Sequence, residues 1–286
     1  MEHLPEARSV DGKPLYRIEL STEQRRTLEA NLARAESEYR ENPKEAERII
    51  WYGRRLAYVW RYQDAIQVFS KGIELHPRNA KLYRHRGHRY ITVREFDKAI
   101  ADLEKAASLI EGVPDEIEPD GAPNKYNMPT STTNSNIWYH LGLAYYLKGD
   151  FENALRAYRE CMKFSINDDM LCATSDWLYM TLRRLGRKSE ADEVLKRIRS
   201  DMRILENHSY HNRLLMYKGE KSPDELLAPS ETDDVAIATQ GYGVGNWYLY
   251  NGETEKAKEI FRKVVAGKHW AAFGYIAAEV ELAKVK

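Results

Sequence analysis

The chain has 286 residues, and its 44 lysines and arginines balance 44 aspartates and glutamates, so no global field draws it to nucleic acid or an anionic membrane. Cys161 and Cys172 offer neither a disulfide framework nor a CxxC ligand pair, and they read as small buried apolar residues. No apolar run of about 18 residues is present to span a bilayer, and MEHLPEARSVDGKPLY lacks the basic and apolar regions of a signal peptide. A cytoplasmic protein is expected, or a periplasmic one if a leader was removed.

Residues 1–21 read as an irregular extension. From Thr22 onward, Leu28, Leu32, Ala35 and Tyr39 recur at helical spacing on a polar background, which predicts a capping helix over 22–45. WYGRRLAYVWRYQDAIQVFSKGIELHP sets Gly53, Ala65, Phe69, Gly72 and Pro77 in a frame that returns after a period of about 34 residues as Gly87, Ala99, Leu103 and Ala106, with Glu111 for the proline. Pro43 precedes Pro77 by the same period, as in an incomplete leading repeat. These two units occupy 46–111.

The segment 112–134 breaks the period. Gly142 follows Gly87 by well over one period, and the excess is an insert of about 21 residues. Prolines and turn formers make the insert a loop, acidic in its first half. The third copy, WYHLGLAYYLKGDFENALRAYRECM, supplies Trp138, Gly142, Tyr145, Ala154, Tyr158 and Cys161. The fourth, SDWLYMTLRRLGRKSEADEVLKRI, repeats the scheme with Leu178, Ala191 and Leu195 after a shift of about three residues, and together they fill 135–206. LLMYKG and PDELL mark a shortened, degenerate unit within 207–237. A final unit and an apolar capping helix take 238–286, with Gly245, Tyr248, Ala257 and Phe261 in register.

Trp138, Leu141, Gly142, Tyr145 and Ala154 together resemble the signature of the tetratricopeptide repeat family, and the resemblance runs over roughly residues 44–266. It implies an all-α fold, a right-handed α-solenoid of stacked antiparallel helix pairs with N- and C-terminal capping helices. The physical pattern agrees, because each unit holds two amphipathic helices that cannot bury their apolar stripes without neighbours. A mid-helix glycine costs about 1 kcal/mol against alanine, so Gly53, Gly87, Gly142 and Gly245 at one repeat position mark a packing requirement.

YRHRGHRYITVR, Tyr83 to Arg94, carries four arginines and two histidines and no acid. Tyr83, Gly87 and Tyr90 are expected to meet the second helix of their own unit, leaving Arg84, His88 and Ile91 on the next stripe. The resemblance implies that this stripe lines the concave surface, where Ile50, Arg54, Ala57 and Tyr58 precede it and Tyr139, Leu143 and Tyr146 follow. The expected partner-binding residues are Arg54, Tyr58, Arg84, His88, Tyr139, Leu143 and Tyr146. A basic section followed by an aromatic one suits a protein or peptide partner with acidic side chains or a C-terminal carboxylate. The carboxylate clamp of chaperone-binding family members does not carry over, since its places hold Ile50, Arg54 and His85.

Asp115, Glu116, Glu118 and Asp120 in the insert read either as part of a solvated loop or as a lid over the basic stripe. His85 with His88, and His208 with His211, have metal-pair spacing without a third ligand, so neither metal nor cofactor is expected. Charge balance and the core positions of Tyr83 and Tyr90 argue against nucleic acid. No nucleophile elbow, HExxH, phosphate loop or dinucleotide fingerprint appears, and the reading is a non-enzymatic protein-binding scaffold. Two alternatives stand beside it. The C-terminal layout loosely resembles the NlpI envelope lipoproteins that present substrates to a protease, and a structural homo-oligomer would need no peptide ligand.

Overall fold

The computed structural model describes residues 4–228 and 234–284, and the chain divides into two compact units, residues 1–115 and 116–286. Positions 1–3, 285–286 and the 229–233 part of the shortened unit lie outside the described residues.

In the first unit, β1 (Ala7–Arg8) and β2 (Pro14–Leu15) pair antiparallel, so the stretch expected to be irregular carries a small hairpin. Five helices follow: α1 (Thr22–Glu41), α2 (Ala46–Tyr58), α3 (Tyr62–Leu75), α4 (Ala80–Thr92) and α5 (Phe96–Leu109). Each packs on the next, and α2 also reaches α4. A capping box starts α1, with the Gln24 amide donating to Ser21 Oγ and the Ser21 amide to the Gln24 side chain. Asn79 caps α4 by accepting from the amides of Lys81 and Leu82. Helix α3 has no cap of its own. Instead Glu6, buried beside the hairpin, accepts from the Gln63 amide at 3.2 Å and from Arg17 at 2.7 Å, while its carbonyl takes the Gln63 side-chain amide at 2.7 Å. The hairpin thus supplies the acceptor that an N-cap side chain would provide.

The second unit contains α6 (Thr133–Lys148), α7 (Phe151–Lys163), α8 (Asp168–Arg184), α9 (Lys188–Leu195), α10 (His208–Tyr217), α11 (Pro223–Leu226), α12 (Asp234–Tyr250), α13 (Thr254–Val265) and α14 (Phe273–Ala283). Helices α6 to α9 stack in chain order, α10 packs on both α8 and α12, and α14 packs on α12 and α13 and reaches back to α6. The fold class is therefore all-α, of the solenoid type that stacks helix pairs joined by short turns.

The repeated glycines are spacing devices. A Cβ at Gly53 would fall 2.4 Å from the Phe69 ring, one at Gly87 2.8 Å from Leu103, one at Gly142 2.7 Å from the Tyr158 ring and one at Gly245 2.5 Å from Phe261. In every case the partner is sixteen residues later, on the second helix of the same pair. The glycine lets that side chain lie against the first helix's backbone, and this close approach repays the propensity lost.

Candidate functional site

The basic stretch in α4 is divided among different tasks. Arg86 lies between the rings of Tyr83 and Tyr90 and makes a two-pronged ion pair with Asp102 of α5, both bonds at 2.7 Å, with a third bond to Ser70. Burial pushes the Asp102 carboxyl up, and its bond to Arg86 opposes this. Gly87 faces Leu103 as the pattern requires, but Tyr83 and Tyr90 stay half-buried as walls for Arg86 instead of entering the pair's core. Arg84 is buried and bonds the ring of His85, which stacks on Phe69. The guanidinium of Arg94 turns back onto the Thr92 carbonyl.

Arg89 is left with a different environment. Its guanidinium sits 5.6 Å from the Tyr62 ring, half-buried, and no carboxylate bonds it among the described residues. Desolvation pushes its pKa down to about 10; Tyr62 and Tyr58 oppose that fall, and Arg84 and Arg54 add to it by repulsion. These neighbours define a face of the first unit built from α2 and α4. On α2, Arg54 lies over the Trp51 ring at 4.3 Å, and Arg55 lies between Trp51 at 5.0 Å and Tyr58 at 5.8 Å. Trp51, Arg54, Arg55 and Tyr58 are half-buried, as is His88 on α4. Helical spacing of three, four and seven residues puts the α2 set on one stripe.

Of the residues expected on a groove, Arg54, Tyr58 and His88 keep partial exposure here, while Arg84 lies beneath. Ile50 and His85, at two of the clamp positions, are buried. The sequence reading missed Trp51 and Arg89. Trp51 had a legible signal, an aromatic residue three and four positions before two arginines. Arg89 had none, because its role depends on Tyr62 from the preceding helix.

The second half of the expected groove is corrected by burial. Tyr139, Leu143 and Tyr146 retain 7%, 0% and 1% exposure, and they are core of the second unit. Tyr139 donates to the Tyr210 hydroxyl at 2.9 Å and packs near Phe273. Tyr146 accepts from Tyr242 at 2.9 Å and Asn246 at 3.0 Å, with Trp177 edge-on at 5.2 Å. Helices α10, α12 and α14 cover the α6 stripe, and Arg184 ties the layer together by bonding Asn246 and Glu281. Burial raises the phenols of Tyr139 and Tyr146, so both stay protonated.

The insert is fastened to the second unit. Ile117 bridges Thr132 antiparallel, the Glu118 amide donates to Ser131, and Glu206 accepts from Asn124 at 3.0 Å and from Thr130. Asn167 donates to the Thr130 carbonyl at 2.7 Å. Asp115 and Glu116 are exposed, Asp120 is half-buried and Glu118 is buried. Elsewhere in this unit an apolar hollow between α11, α12 and α13 is lined by Leu226, Ile237, Ile260 and Val264, with its one charge, Lys263, paired to Glu259.

Stacked helix pairs that share one glycine register define a helical-repeat fold. Residues 135–168 match the family model of the tetratricopeptide repeat, so this segment of the chain is a tetratricopeptide repeat. BBSome complex member BBS4 of Bos taurus is 24% identical over 141 residues, which cover 49% of this chain and 23% of that protein. Among solved structures, YrrB, described as a TPR protein with an unusual peptide-binding site, is 19% identical over 88% of this chain and 98% of its own, with a TM-score of 0.45. A MamA fragment from Desulfovibrio magneticus RS-1 is 20% identical over 60% and 84% of the two chains, with a TM-score of 0.45. Among the described residues no helix is long and apolar enough to cross a membrane.

Proposed function

We propose that the protein is a non-enzymatic scaffold that holds an acidic peptide segment of a protein partner on the α2–α4 face of its first unit. One observation carries the reading: Arg54 of α2 and Arg89 of α4 meet on one half-buried face, with buried Arg84 beneath them and Trp51 and Tyr58 as flat apolar walls. Clustered guanidinium groups repel one another and are partly desolvated, so an incoming carboxylate relieves a cost that the free protein bears. The rings beside them give the partner's side chains apolar surface and hold the guanidiniums flat. The membership of BBS4 in a named complex is in keeping with a role in assembly.

The test is a titration of fluorescent Glu-rich peptides against the parent and the Arg54→Ala, Arg84→Ala, His88→Ala triple variant. The variant should keep its helical circular dichroism and lose roughly tenfold or more in affinity, about 1.4 kcal/mol, and the parent's affinity should fall as salt rises. Equal affinity of the two proteins would place the site elsewhere.

A further inference from the structure

Three arginines enclosed by this fold have internal acids. Arg86 is held by Asp102, Arg184 by Glu281 and Arg213, fully buried, by Asp176. Arg89 differs from these three: it is half-buried against Tyr62, it has two like charges near it, and among the described residues no carboxylate or carbonyl accepts from it. A guanidinium in that state presents its five donors to whatever binds. Its flat face is already fixed by the tyrosine ring, so little side-chain entropy remains to be lost when a planar anion docks.

We infer that Arg89 is the anchor of the α2–α4 face, where an aspartate or glutamate side chain of the partner peptide supplies the acid that Asp102 supplies to Arg86. The inference rests on the acidic-peptide reading and adds to it a single position and a geometry. The carboxylate takes the guanidinium edge side-on in two bonds, as Asp102 does to Arg86. Lysine would keep the charge at position 89 and lose that fork.

Three variants separate the possibilities: Arg89→Gln, Arg89→Lys, and Arg26→Gln on exposed α1 as a control with the same charge change. With the fluorescent Glu-rich peptides, Arg89→Gln should bind at least tenfold more weakly and Arg26→Gln within about twofold of the parent, with Arg89→Lys between them. Phosphorylated versions of the same peptides show whether phosphate serves as well as carboxylate. Melting without peptide gives an independent reading. An uncompensated cation predicts that Arg89→Gln melts no lower than the parent at low salt, and that added salt stabilises the parent more than the variant. Should Arg89→Gln bind like the parent while the Arg54, Arg84, His88 triple variant does not, the anchor is overturned and the acidic-peptide face stands. Parent protein that binds none of the peptides overturns both. A lower melting temperature for Arg89→Gln at every salt concentration would make Arg89 a packing strut and also overturn the anchor.

Discussion

At the scale of single residues, the glycine–aromatic contact is the most demanding feature of the repeat. Gly142 has the Tyr158 ring where its Cβ would be, and that tyrosine is fully buried, so a larger side chain must displace the ring or part the two helices. Gly142→Leu should cost about 1–3 kcal/mol, and more if the helices separate, read as a lower midpoint in thermal circular dichroism. A parent-like melt would mean that this register is wrong at the third repeat. The glycines themselves were legible, because a residue that weakens a helix at four equivalent positions needs a reason outside the helix. What each glycine accommodates was less so: the residue sixteen positions later is phenylalanine twice, tyrosine once and leucine once, and only the folded pair shows that all four do the same work. Arg89 was illegible for a related reason. Its sequence neighbours Arg84, Arg86 and Arg94 look equivalent to it, and the difference lies in the internal partner each finds, the His85 ring, Asp102 and the Thr92 carbonyl in turn.

At the scale of helices, the turns within pairs show how two backbones meet one geometric need. Gly149, Gly186 and Gly252 adopt left-handed φ at the second unit's turns, whereas the first unit places Trp60 at φ 62° and Arg94 at φ 67° in the same role. A side chain there costs about 1–2 kcal/mol, so these turns lack the glycine signal that marks the others in sequence. Helix α14 sets a stricter limit. A Cβ on Gly274 would stand 2.3 Å from the Ala238 carbonyl oxygen and 3.0 Å from the Thr239 Cα, so the obstacle is the backbone of α12. Rings can tilt and a helix backbone cannot, so Gly274→Ala should destabilise the second unit more than Gly142→Ala does, though each adds one methyl group. Urea midpoints at unchanged m-value test the ranking, and the reverse order would show that α14 is free to shift away from α12. The burial of Tyr139, Leu143 and Tyr146 belongs to this scale too. Repeat periodicity places them on the inward stripe of α6, but it carries no information about Tyr210, Tyr242 and Phe273 returning onto that stripe from helices far along the chain.

At the scale of the whole molecule, balanced surface charge conceals an uneven interior. The second unit buries phenols and thiols in a layer where their charged forms are penalised. Burial pushes both the Cys161 and Cys172 thiols up to about 12 from an ordinary value of 9.0, and raises Tyr139, Tyr146, Tyr158 and Tyr242 as well. These groups bind their protons more tightly when folded than when unfolded. The thiols' contribution is therefore fully present below their unfolded value, near pH 9, and is lost as pH rises toward the folded value near 12. Within that window the unfolded chain sheds protons that the native chain keeps, and each thiol alone removes up to ~1.4 kcal/mol per pH unit. The urea midpoint should hold steady between about pH 7 and 8 and then fall steeply by about pH 10.5, in high salt as well as low, because screening weakens surface repulsion and leaves the burial penalty in place. Thiol reagents at neutral pH should find both cysteines only after urea is added. A midpoint that stayed level through about pH 10.5, or thiols that reacted without urea, would mean that the second unit's interior admits water.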